Sequence, residues 1–294
     1  RDAVLDTVAD VLKFHACPFG ISRKPLHVIA ETISRAGRPA RTLKIEERAM
    51  KTTSERISIP VGNEQMGAYV ARPEGAGAYP GVLLFMEIFG INAHIRSVVD
   101  RVAAEGYVVM APDLFHREAP GIELGYDEAS LSKGIEIMGK VQPAGIVADI
   151  TAAHAALTKR ADVKGRGVGA MGFCFGGHVA YRTACELPIA ATASFYGGGI
   201  AAPAAPGAGP STIERTPAMK GRILCLFGEN DGYIPAADVA AIRKSLEAAK
   251  VRHEVVVYPG VGHGFFCDVR ADYDAKSAAD AWQRVKALFR EELV

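Results

Sequence analysis

The segment Val168-Gly169-Ala170-Met171-Gly172-Phe173-Cys174-Phe175-Gly176-Gly177-His178-Val179-Ala180 leaves the chain few folds to choose from. It runs from an apolar strand through a Gly-x-Cys-x-Gly-Gly turn into a helix. Such a turn holds its central residue in a strained backbone conformation and lets strand and helix approach closely. Glycine at 172, 176 and 177 removes the Cβ atoms that would collide. The Cys174 thiol is then presented above a sheet at a helix start, where the helix dipole favours a thiolate. The backbone N–H of Phe175 faces a developing oxyanion. Cys174 is therefore a candidate nucleophile, weighed against a buried cysteine in a Gly-rich turn.

The surrounding pattern agrees with this requirement. Strand-like runs fall at 54–60, 66–72, 81–86, 107–111, 167–171, 190–196, 222–228 and 253–258, most of them apolar throughout, as strands buried on both faces must be. Helical patterns fall near 92–105, 143–160, 177–186, 236–250 and 272–292. This alternation predicts an α/β fold with a mainly parallel central sheet flanked by helices. Val61-Gly62-Asn63-Glu64-Gln65 joins the first two runs as a hairpin, predicting an antiparallel N-terminal edge. The Gly-, Ala- and Pro-rich stretch 197–217 reads as an exposed loop.

Residues 1–49 have a different texture and are expected to form an N-terminal extension to a domain spanning 50–294. Asp2 to Phe14 reads as one amphipathic helix. Met50 reads as the native start, because Glu46-Glu47 can be encoded by a purine-rich ribosome-binding sequence; a genuine helical extension is the alternative.

Composition narrows the function classes. Among 294 residues, 34 Lys and Arg stand against 33 Asp and Glu, a formal net charge of +1. That balance gives no basic field for nucleic acid. The longest apolar runs, such as Gly81–Met86, fall short of the ~20 residues of a membrane helix. Five cysteines, an odd number in a long chain without a Cys-x-x-Cys pair, argue for reduced thiols in a cytoplasmic protein rather than a disulfide scaffold or a zinc site. Cys225 and Cys185 read as ordinary thiols.

An elbow nucleophile needs a base, and the base an orienting acid, in the chain order nucleophile, acid, histidine. Asp231 follows the apolar strand 222–228 and His263 follows the last strand, flanked by glycines. Both therefore fall on loops at the sheet edge where such folds place ligands. His94 and His116 also follow strands, but read as solvated loop histidines.

At these residues the chain resembles the dienelactone hydrolase (carboxymethylenebutenolidase) family of α/β-hydrolases. The resemblance is carried by Met86-Glu87-Ile88-Phe89-Gly90, Ala111-Pro112-Asp113-Leu114-Phe115, the elbow, Asp231 with Ile234-Pro235, and Gly262-His263-Gly264-Phe265. It implies Cys174 as nucleophile, His263 as base and Asp231 as its orienter. It implies backbone N–H groups of Ile88 and Phe175 as the oxyanion hole. It makes Glu87 a carboxylate that contacts the resting thiol, disfavouring the thiolate and protecting it from oxidation. Arg117 matches a family arginine that pairs with a substrate carboxylate, and Tyr196 resembles a pocket tyrosine. The sequence departs from the family where a second arginine follows the histidine. Cys267 stands near that position, and Arg270 lies farther along than a substitute should.

The implied activity is hydrolysis of a small-molecule ester or enol lactone through a thioester, with no metal or organic cofactor needed. An acyl transferase on the same elbow and a non-catalytic redox sensor with a reactive Cys174 are the alternatives. The expected partners are limited to the substrate, with no nucleic acid or membrane, and the expected state is a monomer.

Overall fold

A computed structural model of the chain describes residues 49–203 and 209–294. The amphipathic helix expected at Asp2–Phe14, and all of the extension up to residue 48, lie outside the described residues. So do the extension's His15, Cys17 and His27.

Among the described residues, eight strands form one sheet: β1 (Thr52–Val61), β2 (Glu64–Pro73), β3 (Tyr79–Phe85), β4 (Val108–Pro112), β5 (Val163–Phe173), β6 (Ile189–Phe195), β7 (Arg222–Gly228) and β8 (His253–Tyr258). Their spatial order is β1-β2-β4-β3-β5-β6-β7-β8. Each coincides with a run predicted from sequence. β1 and β2 form the expected antiparallel hairpin, with Val61 opposite Glu64. β2 also joins β4 antiparallel, and the remaining pairs are parallel. The predominantly apolar strands β3, β4, β6 and β7 are buried almost throughout, as helices on both faces demand.

The described residues also form six α-helices: α1 (Ala93–Ala104), α2 (Glu128–Met138), α3 (Pro143–Thr158), α4 (Phe175–Glu186), α5 (Ala236–Ala248) and α6 (Ala275–Leu293). α1 packs on β2 and β4, α4 on β3, β5 and β6, and α6 on β5, β6 and β7. After β3 the chain crosses to β4 on one side; after β5 it crosses to β6 on the other. The C-terminal ends of β3 and β5 thus flank the switch point, the crevice where open α/β sheets bind ligands. Among the described residues no helix is long and apolar enough to cross a membrane.

Two local expectations change. The stretch 197–217 is not simply an exposed loop: Ile200, Thr212 and Thr216 are buried, and Ile213–Ala218 forms a short 3-10 helix. Helix α2 escaped the sequence pattern because Gly134 interrupts it. That glycine has a packing reason. A Cβ there would stand 2.6 Å from the Ile88 carbonyl oxygen, so the helix lies directly on the turn after β3. Gly134→Ala is expected to cost about 1–3 kcal/mol by overpacking and to displace Ile88. Thermal denaturation of the variant should show the loss.

Candidate active site

The elbow is built as its composition requires. Cys174 ends β5 and caps α4 with φ +54° and ψ −117°, a left-handed conformation that costs a non-glycine residue roughly 1–3 kcal/mol. Its N–H donates to the Phe195 carbonyl at 3.0 Å, and its own carbonyl accepts from His178 at 3.1 Å. A Cβ on Gly176 would stand 2.2 Å from the Phe85 carbonyl oxygen, and one on Gly172 2.0 Å from that of Gly176. Backbone therefore touches backbone where β3, β5 and α4 meet. Phe175 is the first residue of α4, where an N–H has no helical acceptor.

His263 lies beyond β8, and its Nδ1 is 2.7 Å from Asp231 Oδ2. The other carboxylate oxygen, Oδ1, accepts the Tyr233 N–H at 2.9 Å. Both residues are buried. The His263 ring is packed edge-on by Tyr196 and Tyr233, each with centroids 5.0 Å away. Burial alone would push this imidazole down. Hydrogen bonds to Asp231 and Cys174, with the charges of both, outweigh it and push His263 up to about 10. The three predicted residues thus converge, Cys174 and Asp231 on either side of the histidine. Among the other described thiols, burial pushes Cys185 and Cys225 up to about 12; burial and the Glu87 charge push Cys267, which is bonded to Tyr126, up to about 11.

Glu87 follows β3 and is fully buried. Its carboxylate is held by Tyr126, whose hydroxyl donates to Oε2 at 3.0 Å, and by Arg270, whose Nη1 is 3.4 Å from Oε1. The Cys174 thiol is joined to His263. A guanidinium and a phenol satisfy the carboxylate better than a weak S–H donor does. Burial, then the Glu87 charge, holds the Tyr126 phenol far above its ordinary range, so it acts as a neutral donor. The Arg270 guanidinium also lies 5.9 Å over Phe89 and 5.8 Å over Tyr126, within the range of cation–π attraction.

The structure does not bring Arg117 to this group. Its guanidinium makes a two-pronged bond to buried Asp149, at 2.8 and 2.9 Å, and an ion pair with Glu64. Asp149 also takes His116 Nε2 at 3.1 Å. His116 is therefore a buried anchor of the loop after β4, not a solvated histidine. His94 is likewise buried, in the first turn of α1.

Arg270, set aside for its distance along the chain, does reach the site. Tyr196 does so too: it is fully buried at φ +36°, its hydroxyl has no hydrogen-bond partner, and Glu87, Arg270 and Cys174 act on it electrostatically. Tyr126 was not among the predicted site residues. Ile88 is buried behind Glu87.

Residues 66–293 match the sequence profile of the dienelactone hydrolase family. A protein of Synechocystis named as a carboxymethylenebutenolidase is 44% identical over 244 residues, covering 83% of this chain and 98% of its own. One of the same name from Escherichia coli K12 is 34% identical over 236 residues, covering 80% and 85%. The crystal structure of a Klebsiella pneumoniae protein named as a dienelactone hydrolase superposes with a TM-score of 0.73 at 33% identity, covering 82% of this chain and 99% of that one. A dienelactone hydrolase-like promiscuous phosphotriesterase from metagenomic libraries superposes at 0.70 with 26% identity, covering 83% and 100%.

Proposed function

Because this chain belongs to the dienelactone hydrolase family of α/β-hydrolases, we propose that it hydrolyses a small carboxylic ester or enol lactone through a Cys174–His263–Asp231 triad. The observation that carries the reading is the meeting of a strained cysteine elbow with a buried histidine bonded at 2.7 Å to Asp231.

The Cys174 thiolate attacks the substrate carbonyl carbon. The resulting oxyanion rests on the N–H groups of Ile88 and Phe175, each such donor contributing about 3 kcal/mol to transition-state stabilisation. As the tetrahedral adduct collapses, the C–O bond breaks and the His263 imidazolium gives its proton to the leaving oxygen. The acyl group is left on sulfur as a thioester. His263, now neutral and held in the useful tautomer by Asp231, takes a proton from water as its oxygen attacks the thioester. The thiolate departs, the acid is released, and the ion pair is restored. Thiolates leave tetrahedral adducts more readily than alkoxides do, so activated esters and enol lactones suit this site best.

Arg270 takes the place offered to Arg117 as the partner of a substrate carboxylate. It sits beside Glu87 and interacts electrostatically with Cys174, whereas Arg117 is committed to Asp149 and Glu64. Arg270→Met is expected to raise KM for a carboxylated dienelactone by ~10-fold or more, since a charge-assisted bond to an ionised group contributes about 1.5–3 kcal/mol. An uncharged p-nitrophenyl ester should lose much less.

Hydrolysis of a dienelactone beside an activated p-nitrophenyl ester, with wild type and Cys174→Ala, tests the reading. Cys174-dependent turnover of the lactone supports it fully. Turnover of the ester alone keeps the triad and moves the substrate elsewhere. Turnover of neither rejects it.

A further inference from the structure

His94 and Cys267 take no part in the steps above, yet with Glu87 they form a compact buried group. They come from three separate segments: the turn after β3, the first turn of α1, and the loop between β8 and α6. One atom of each, a carboxylate oxygen, a ring nitrogen and a thiol sulfur, lies within 4.8 Å of the others. All three residues are at least nine-tenths buried.

His94 gives the independent signal. Its Nε2 is buried without a hydrogen-bond partner, a state that buried polar atoms seldom show. Its Nδ1 stands 3.5 Å from the Asp268 carboxylate. A carboxylate behind one ring nitrogen keeps the proton there and leaves the lone pair of the other free, the usual support of a metal-ligating histidine.

We propose that Glu87, His94 and Cys267 bind one divalent cation of the zinc class, with water completing a tetrahedral shell. The donor set selects the class. Mixed carboxylate, imidazole and thiolate ligation is typical of zinc, whereas calcium and magnesium require oxygen ligands throughout. Three protein ligands with a fourth open position match the number that non-structural zinc sites use.

A surface groove reaches the His94 edge of the group. A groove of about 280 Å³ between α1 and α6 is lined by His94, Arg101, Asp268 and Trp282, and the Asp268 side chain is 70% exposed there. Binding replaces the thiol proton of Cys267, which leaves to solvent, so two anionic ligands face the cation. Arg270 opposes it. Coordination of Glu87 therefore supplants the long 3.4 Å Arg270 contact, and the site binds less tightly than a structural zinc centre. Through Glu87 and Arg270 the ion would act on the adjoining pocket. That consequence rests on the hydrolytic reading; the binding itself does not.

The test uses metal-stripped, untagged full-length protein carrying Cys174→Ala, which removes the other thiol–imidazole pair. Zn²⁺ is titrated in competition with a chromophoric chelator. One equivalent should bind, and His94→Gln or Cys267→Ser in the same background should each weaken binding by at least ~100-fold. Co²⁺ should produce a thiolate-to-cobalt charge-transfer band while Cys267 is intact, so the proposal does not depend on every variant folding. Absence of saturable binding and of the cobalt band in Cys174→Ala would overturn it. So would tight binding unchanged by both ligand substitutions in folded protein.

Discussion

Cys174→Ala is expected to reduce ester hydrolysis by roughly 10⁴-fold or more, the scale seen when a triad nucleophile is removed. The effect should fall on chemistry and not on folding. Alanine at 174 must still adopt φ +54°, so the elbow keeps its strain and its contacts with β3 and α4. Cys174→Gly separates the two quantities further. Glycine relieves a strain of roughly 1–3 kcal/mol against an entropic cost of about 0.5–1 kcal/mol. The glycine variant should therefore be inactive and equally stable or slightly more stable. Chemical denaturation beside kcat/KM checks this. A glycine variant much less stable than wild type would argue that the elbow is not strained.

Asp231→Asn carries the second large effect, a loss of about 10³- to 10⁴-fold in kcat. The Asp231 oxygens have separate duties: Oδ1 accepts from Tyr233, and Oδ2 faces His263 Nδ1. In the variant the amide oxygen can keep the Tyr233 bond, which turns the NH₂ toward the imidazole. A donor there forces the proton onto Nε2, the nitrogen that acts as base in the proposed reaction.

The pH dependence has a definite sign. His263 is raised from an ordinary 6.5 to about 10. The stability contributed by its imidazolium is complete below the unfolded value and is lost as pH rises through about 10. With a substrate whose leaving oxygen must be protonated, wild-type kcat/KM should hold level through neutral pH and fall near pH 10. In Asp231→Asn that limb should move to lower pH, because a charge and a bond that favour the imidazolium are gone. Unfolding near pH 7 by the variant would reduce its activity without moving the limb.

The placement of Cys174, Asp231 and His263 was legible in sequence because each sits where local rules are strict. Cys174 needs glycines around it, and Asp231 and His263 each follow a buried apolar strand. Helix α2 was not legible, since Gly134 breaks the apolar period and its reason, contact with Ile88, is nonlocal. Arg270 misled for a related reason. Distance along a loop is a poor guide when successive turns fold it back: Cys267 N–H bonds to Gly264 O, and Arg270 N–H to Cys267 O. The guanidinium thereby returns to Glu87, 183 residues away in sequence. Arg117 misled in the opposite sense. Its motif was clear, but its partner Asp149 lies 32 residues on in α3, with nothing local to announce it. His94 and His116 read as solvated because their neighbours are loops, whereas burial was imposed by α1 and by Asp149.

Mass spectrometry of an acid-quenched reaction with an activated ester tests the central claim most directly. The account predicts an acyl adduct on the peptide bearing Cys174, formed during the first turnover, labile to hydroxylamine, and absent from Cys174→Ala. Full turnover with no adduct on Cys174, undiminished in Cys174→Ala, would contradict it.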